Sequence, residues 1–383
     1  MANRIKEKYL ARKKYFDYPM LFLVIFLILF GMVMIFSTSS YKSTITYGNP
    51  YHWLIRQAAA VVIGAVFMIA FCKIDYRVFK HLFFARGCYG LSIALLVIVL
   101  AIGAAKKGSV RWISIGGFQF QPSEFAKILL VMYLAYTLSR NAGKMRSFWD
   151  TLKVLLKCVP VIGLVAYQNL STALVICAIT GVMVFVVSPK TKELIGVALG
   201  MVGVLVAYLA FSSSYRNERL QIWLHPESHE KGLQTMQALY AIGSGGIFGK
   251  GLGQSMQKMG FVPESHNDMI FSIICEELGL FGAICLILVF MALIWRMLLI
   301  AMNAEDLFGS LIAIGFMTHI AVQVFINIAV VTNTIPPTGI PLPFISYGGS
   351  SILAIMAEMG IVLSISKSCL LYTSPSPRDT ERC

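Results

Sequence analysis

Apolar runs of about twenty residues recur along this chain. A run of that length crosses the roughly 30 Å hydrocarbon layer of a membrane as one helix, so it constrains the fold more than any motif does. The first extends from about Pro19 to Ser37; others follow at roughly 54 to 72, 88 to 105, 122 to 139, 153 to 167, 170 to 187, 193 to 212, 269 to 295, 307 to 331 and 347 to 366. In lipid, every backbone N–H and C=O must be bonded within the protein, and these runs lack the alternation of a barrel strand. Composition agrees, with 57% of the 383 residues hydrophobic and 13% charged. The expected fold is all-α: a polytopic integral membrane protein of about ten transmembrane helices, with cytoplasmic N- and C-termini and a large outer loop, 213–268, between spans 7 and 8.

The formal charge of +14 does not point to nucleic acid, because the basic residues lie in short loops and build neither a basic face nor an RNA-binding motif. They follow the positive-inside rule instead. Residues 1–18 form a basic cytoplasmic segment with Arg4, Lys6, Lys8, Arg12, Lys13 and Lys14, and the loops carrying Lys73, Arg77, Lys80 and Arg86, then Arg140, Lys144 and Arg146, then Lys190 and Lys192 fall inside. Two outer loops break the bias, one with Lys106, Lys107 and Arg111, the other with Arg216, Arg219, Lys231, Lys250 and Lys258. Positive charge kept there suits an anionic ligand, although a long loop also escapes the rule. Residues 19–368 read as one membrane domain, and 369–383, rich in Ser, Pro and charge, as a disordered tail or a non-native scar. Of the eight cysteines, six lie in or beside apolar segments without a C-x-x-C pair, as small core residues do.

Four polar stretches interrupt the apolar ones. Phe261 to Ser272 holds Glu264, His266 and Asp268 within five residues, at the mouth of a span, where charge is costly. The stretch from Lys106 to Lys127 carries Arg111, an interfacial Trp112, two glycines and then Pro122-Ser123-Glu124, a plausible first helical turn with an acid favoured by the helix dipole. Lys127 then lies one turn inside the bilayer, snorkelling or facing a polar cavity beside Glu124. The run Gly243 to Gly253 is glycine-rich and contains Lys250, but lacks Walker spacing and a preceding strand, so it reads as a flexible, basic, re-entrant surface near headgroups. Asn333 to Ser351, with four prolines, cannot be regular helix and reads as a structured loop dipping toward a cavity.

Taken together, Gly108-x-x-Arg111-Trp112-Ile113 with Gln121-Pro122-Ser123-Glu124-x-x-Lys127, Ala241 to Gly246 with Gly249-x-Gly251, Pro263-Glu264-x-His266-x-Asp268, and Pro336-x-Thr338-Gly339-x-Pro341-Leu342-Pro343-Phe344-x-Ser346-Tyr347-Gly348-Gly349-Ser350 resemble the SEDS family (shape, elongation, division, sporulation) over residues 19 to 368. The glycine run and the Asn267-Asp268-Met269 wording are nearer the division and sporulation members than the elongation member. The resemblance implies a peptidoglycan glycosyltransferase polymerising lipid II on the outer face of the bacterial cytoplasmic membrane. It implies as partners a class B penicillin-binding transpeptidase and other divisome or elongasome membrane proteins.

Transfer from a pyrophosphate donor needs a base for the attacking hydroxyl and positive charge for the leaving group. The resemblance makes Asp268 the catalytic base; the bland alternative is a carboxylate capping the next helix. Glu124, Glu264 and His266, the cations Arg56, Arg111, Lys127, Arg216 and Lys250, and Trp112, Ser346 and Tyr347 are candidates for substrate binding. Many family members carry an acid where this chain has Asn169, so an acid or metal role there does not transfer. A divalent cation, Mg or Mn, is chemically sensible beside pyrophosphate, with no ligand set assigned. Two rival readings are a lipid II flippase and a non-catalytic division scaffold.

Overall fold

The computed structural model describes residues 16–102, 104–106, 109–115, 118–145, 148–188, 196, 221–228 and 232–369. Its long helices follow the apolar runs. Helix α1 (Tyr18–Tyr47) starts where the Asp17 carboxylate accepts from the Met20 amide at 2.9 Å, and stops at Gly48 in the left-handed conformation. Then come α2 (His52–Lys73), α3 (Leu82–Ile102), α4 (Pro122–Asn141), α5 (Phe148–Gln168), α6 (Leu170–Val187), the shorter α7 (Leu233–Gly245), α8 (Ile270–Asn303), α9 (Leu307–Val331) and α10 (Gly349–Ser366). Seven of these (α1, α2, α3, α6, α8, α9 and α10) are long and apolar enough to cross a membrane. Helices α4 and α5 are as long, at 20 and 21 residues, but Glu124, Lys127 and Arg140 in one and Asp150, Lys153 and Lys157 in the other dilute their apolar character. The run expected at 193–212 lies outside the described residues.

Two expectations need correcting. The stretch before α4 is no open loop, since β1 (Ala104–Lys106), β2 (Ser109–Ile115) and β3 (Phe118–Phe120) form a small antiparallel sheet in the order β1-β2-β3. Its Val, Ile and Phe residues alternate with polar ones, a short strand signal easily overlooked among helices. The large loop is also partly helical, because α7 occupies its middle.

The helices run back and forth between two rims. At one rim, Asp306 accepts from the Tyr76 hydroxyl at 3.0 Å and from Lys80 at 2.7 Å, Arg77 pairs with Glu305, and Arg296 grips Asp17 at 2.7 Å. Thr151 and Ser188, at opposite ends of the α5–α6 hairpin, meet there at 3.5 Å. At the other rim, Lys42 donates to the Pro263 carbonyl at 2.9 Å, Gln57 accepts from the Gly348 amide, and Trp223 donates to the Asn333 carbonyl at 3.0 Å. The stretches 38–53, 221–228, 232–269 and 332–348 thus meet at one end. Helix α10 runs through the middle and is buried along its length, whereas α1 to α3 present large apolar side chains outward, among them Phe22 and Phe83. In a membrane protein such a surface faces lipid.

Candidate functional site

Asp268 stands immediately before α8. The N-cap of that helix is Met269, whose side chain makes no capping hydrogen bond. The Asp268 backbone carbonyl accepts from Asn327 Nδ2 of α9 at 2.8 Å, and the same amide group donates to the Ile340 carbonyl at 2.8 Å. One side chain therefore ties the acid's segment to the Pro-rich loop. Ser346 ties it a second time: its hydroxyl donates to the Asn267 carbonyl at 2.6 Å and accepts from the Leu342 amide at 2.8 Å. The Tyr347 amide donates to the His266 carbonyl at 2.9 Å. Asp268 Oδ2 faces Gly339, whose φ is +71°. That left-handed backbone favours glycine.

Around this core the expected residues divide. The His266 ring is buried in a cluster with Trp53 at 5.2 Å and Tyr347 at 5.8 Å, ring centre to ring centre. Glu264 accepts from Asn267 Nδ2 at 2.6 Å, which stiffens the loop. Burial pushes the Tyr347 phenol up against the opposing pull of the adjacent Arg56 guanidinium, so its hydroxyl is a neutral donor. Arg56 itself is exposed at the rim. Ser346 acts through the backbone bonds above, and Trp112 sits on β2 opposite Ala104. The Arg111 side chain and Arg216 lie outside the described residues.

Glu124 and Lys127 form a buried ion pair at 3.0 Å, with side chains 5% and 1% exposed. They line a small cavity of about 30 Å³ with Gln121, Asn169, Thr172, Gln323 and Gly339, and that glycine joins the cavity to Asp268. Lys127 thus faces a polar cavity beside Glu124. In and beside it, the buried acceptors Glu124 Oε2, Gln323 Oε1 and Asn327 Oδ1 make no hydrogen bond to the described residues. Asn169 caps α6, accepting from the Ser171 amide at 3.1 Å. Gln323 and Asn327 escaped the sequence reading, although two amides one helical turn apart in an apolar run are a signal.

Lys250 is committed elsewhere. It pairs at 2.7 Å with Glu276, and Lys258 pairs at 2.8 Å with Glu277, both carboxylates being fully buried where α8 breaks at Gly279. The glycine run packs on that break: the amides of Lys250 and Gly251 donate to the carbonyls of Glu276 and Glu277 at 3.0 Å, and Leu280 donates back to Gly246 at 2.9 Å. Gly249 and Gly279 both have positive φ, and a Cβ on either would strike the other segment's backbone. The run is therefore a packed clamp rather than a flexible loop, although Ile247, Phe248 and Leu252 stay exposed on it. Among the described residues, no group of three His, Cys, Asp or Glu is arranged to hold a metal ion.

The sequence profile of the family described as "Cell cycle protein" (FtsW, RodA and SpoVE) matches residues 18–369. The chain belongs to the FtsW/RodA/SpoVE family. It is 38% identical over 358 residues to a probable peptidoglycan glycosyltransferase FtsW of Trichlorobacter lovleyi, covering 92% of this chain and 93% of that protein. It is 36% identical over 364 residues to the stage V sporulation protein E of Bacillus subtilis, covering 92% and 97%. A solved chain from a peptidoglycan synthase complex, described as coordinating polymerization and crosslinking, superposes with a TM-score of 0.78 at 30% identity over 92% of this chain and 97% of that one. The FtsW/RodA/SpoVE relationship thus spans the whole multi-pass bundle.

Proposed function

We propose that this chain is a peptidoglycan glycosyltransferase that polymerises lipid II at the Asp268 rim, facing the outside of the bacterial cytoplasmic membrane. The observation that carries this reading is the Asp268 carboxylate, held at the start of α8 by the Asn327 and Ser346 bonds and facing Gly339 of the cavity that Glu124 and Lys127 line. The 4-hydroxyl of one sugar attacks C1 of the next, its proton passes to Asp268, the O4–C1 bond forms, and the bond from C1 to the lipid pyrophosphate breaks. Lys127 and the exposed Arg56 supply positive charge for the leaving group, and arginine binds its oxygens in a fork. Glu124, Gln323 and Asn327 accept from sugar hydroxyls. The strands made here are handed to a class B penicillin-binding transpeptidase, a division of labour supported by the likeness to a peptidoglycan synthase complex.

The test is polymerisation of purified lipid II by the detergent-solubilised protein with its transpeptidase. Asp268→Asn is expected to cut glycan formation by about 10²- to 10⁴-fold, the usual worth of a general base, while lipid II binding and thermal unfolding stay near wild type. Glycan ladders from a well-folded variant would remove the base from Asp268. No ladder from wild type that binds lipid II would turn the reading toward a flippase or a scaffold.

A further inference from the structure

The larger cavity, of about 230 Å³, lies at the rim opposite Asp268, between the first turns of α3, the last turns of α4 and the middle of α5. Three cations line it, Arg86, Arg140 and Lys157, together with Tyr133, Tyr136 and Asn141. No lining residue is acidic, and among the described residues no carboxylate pairs with any of the three cations. That contrasts with three other cations of the same rim, since Arg77, Lys80 and Arg296 are neutralised by Glu305, Asp306 and Asp17. Arg140 Nη1 does donate to the Tyr136 hydroxyl at 2.8 Å, which holds the guanidinium at the cavity wall. Tyr133 stacks on Tyr89 with ring centres 4.5 Å apart, and the Tyr89 hydroxyl donates to the Lys157 carbonyl at 2.8 Å, so the wall linking α3, α4 and α5 is pre-built.

What surrounds the cavity narrows the ligand. Leu156 and Val159, flanking Lys157, are 57% and 54% exposed, and Phe83, one turn before Arg86, is 92% exposed. A cationic pocket opening beside a lipid-facing apolar wall suits a molecule that is anionic at one end and hydrocarbon at the other. We infer that Arg86, Arg140 and Lys157 form a binding site for the phosphodiester headgroup of an anionic membrane phospholipid, whose acyl chains lie along the exposed flanks of α3 and α5. Basic pockets between membrane helices take such headgroups, each cation near the surface being worth about fivefold in affinity. The site is separate from the Asp268 cavity and stands whether or not the proposed polymerase reading does.

The full-length protein in a neutral detergent is titrated with fluorescent phosphatidylglycerol, then with phosphatidylcholine of the same chain length, then with inorganic phosphate as competitor. Wild type is expected to bind the anionic lipid well over the zwitterionic one, with phosphate a poor competitor. The variant R86Q/R140Q/K157Q should bind phosphatidylglycerol about a hundredfold more weakly, whereas K153Q, one turn away on α5 and outside the cavity, should bind it as wild type does. The single variant K157Q, at an exposed position, keeps the test open if the triple variant folds poorly, and should lose about fivefold. Equal binding by wild type and the cavity variants, or an equal loss in K153Q, would overturn the site. Full competition by inorganic phosphate would overturn the lipid as its ligand.

Discussion

Two Lys–Glu pairs are buried in this bundle, and they are finished differently. Glu277 and Lys258 are closed: both carboxylate oxygens accept from the Ser37 hydroxyl, at 2.7 and 2.8 Å, and Lys258 donates to Glu277 at 2.8 Å and to Ser37 at 3.0 Å. Glu124 and Lys127 are left open, with one carboxylate oxygen bonded to the lysine, the other making no hydrogen bond to the described residues, and a cavity alongside. Taking a charge out of water costs several kcal/mol unless its remaining lone pairs and protons are filled. The closed pair has met that condition and locks the stretch at Lys258 and, through Ser37, helix α1 onto α8. The open pair has not, and it sits where the proposed substrate enters. The same two residue types thus serve as a clamp in one place and, in the proposed reading, as a receptor in the other.

The sharpest way to break this contrast is to remove each lysine. Lys258→Met leaves Glu277 buried and uncompensated, so it should cost about 3 to 5 kcal/mol in thermal or denaturant unfolding, while a K258M/E277L double variant recovers most of that. Lys127→Met should lower lipid II polymerisation by about 10²- to 10³-fold, the cost of one lost charge-stabilising donor, with a smaller fall in stability because the adjoining cavity lets water reach Glu124. Equal loss of stability in both would erase the distinction. A smaller effect sharpens it at the opposite rim, where Asp306 caps α9 through the Gly309 amide at 3.0 Å. Burial raises its carboxyl, but Lys80, that amide and the Tyr76 hydroxyl outweigh burial and hold it below its ordinary value. A carboxyl lowered on folding stabilises above its unfolded range and loses that contribution as pH falls through the folded one. Asp306→Asn should therefore cost about 1 kcal/mol at neutral pH, and the difference from wild type should begin to shrink near about pH 4 and vanish only once the pH falls below the lowered value of the folded carboxyl.

The spans were legible because lipid leaves so few choices: the apolar runs from Pro19 to Ser37 and from 307 to 331 fall within α1 and α9. Asp268, Glu124 and Lys127 were legible for the same reason, being charges where charge is expensive. What stayed hidden is long-range pairing. Glu276 and Glu277 stand in plain view in an apolar run, yet their partners Lys250, Ser255, Lys258 and Ser37 come from a loop and from α1, up to 240 residues away. Without those partners, the glycines of 243–253 read as freedom, whereas the structure spends them on contact. His319 and Glu358 are a similar case, meeting at 2.9 Å in the middle of the bundle from two helices that each read as unbroken hydrocarbon.

The break at Gly279 separates a short head, Ile270 to Leu278, from a rod of about 24 residues that ends at Asn303. The head is fixed by the glycine clamp and by Asn327 and Ser346, while the rod shows Leu288, Met291 and Trp295 outward. A helix in a bilayer leans as the hydrocarbon thickens or thins. Here the clamp straddles the break, since the Leu280 and Phe281 amides donate to Gly246 and Ile247 just as Lys250 and Gly251 donate to Glu276 and Glu277; the bend is held at one setting, as a splint holds a limb, and any lean of the rod is carried to Asp268 undiminished.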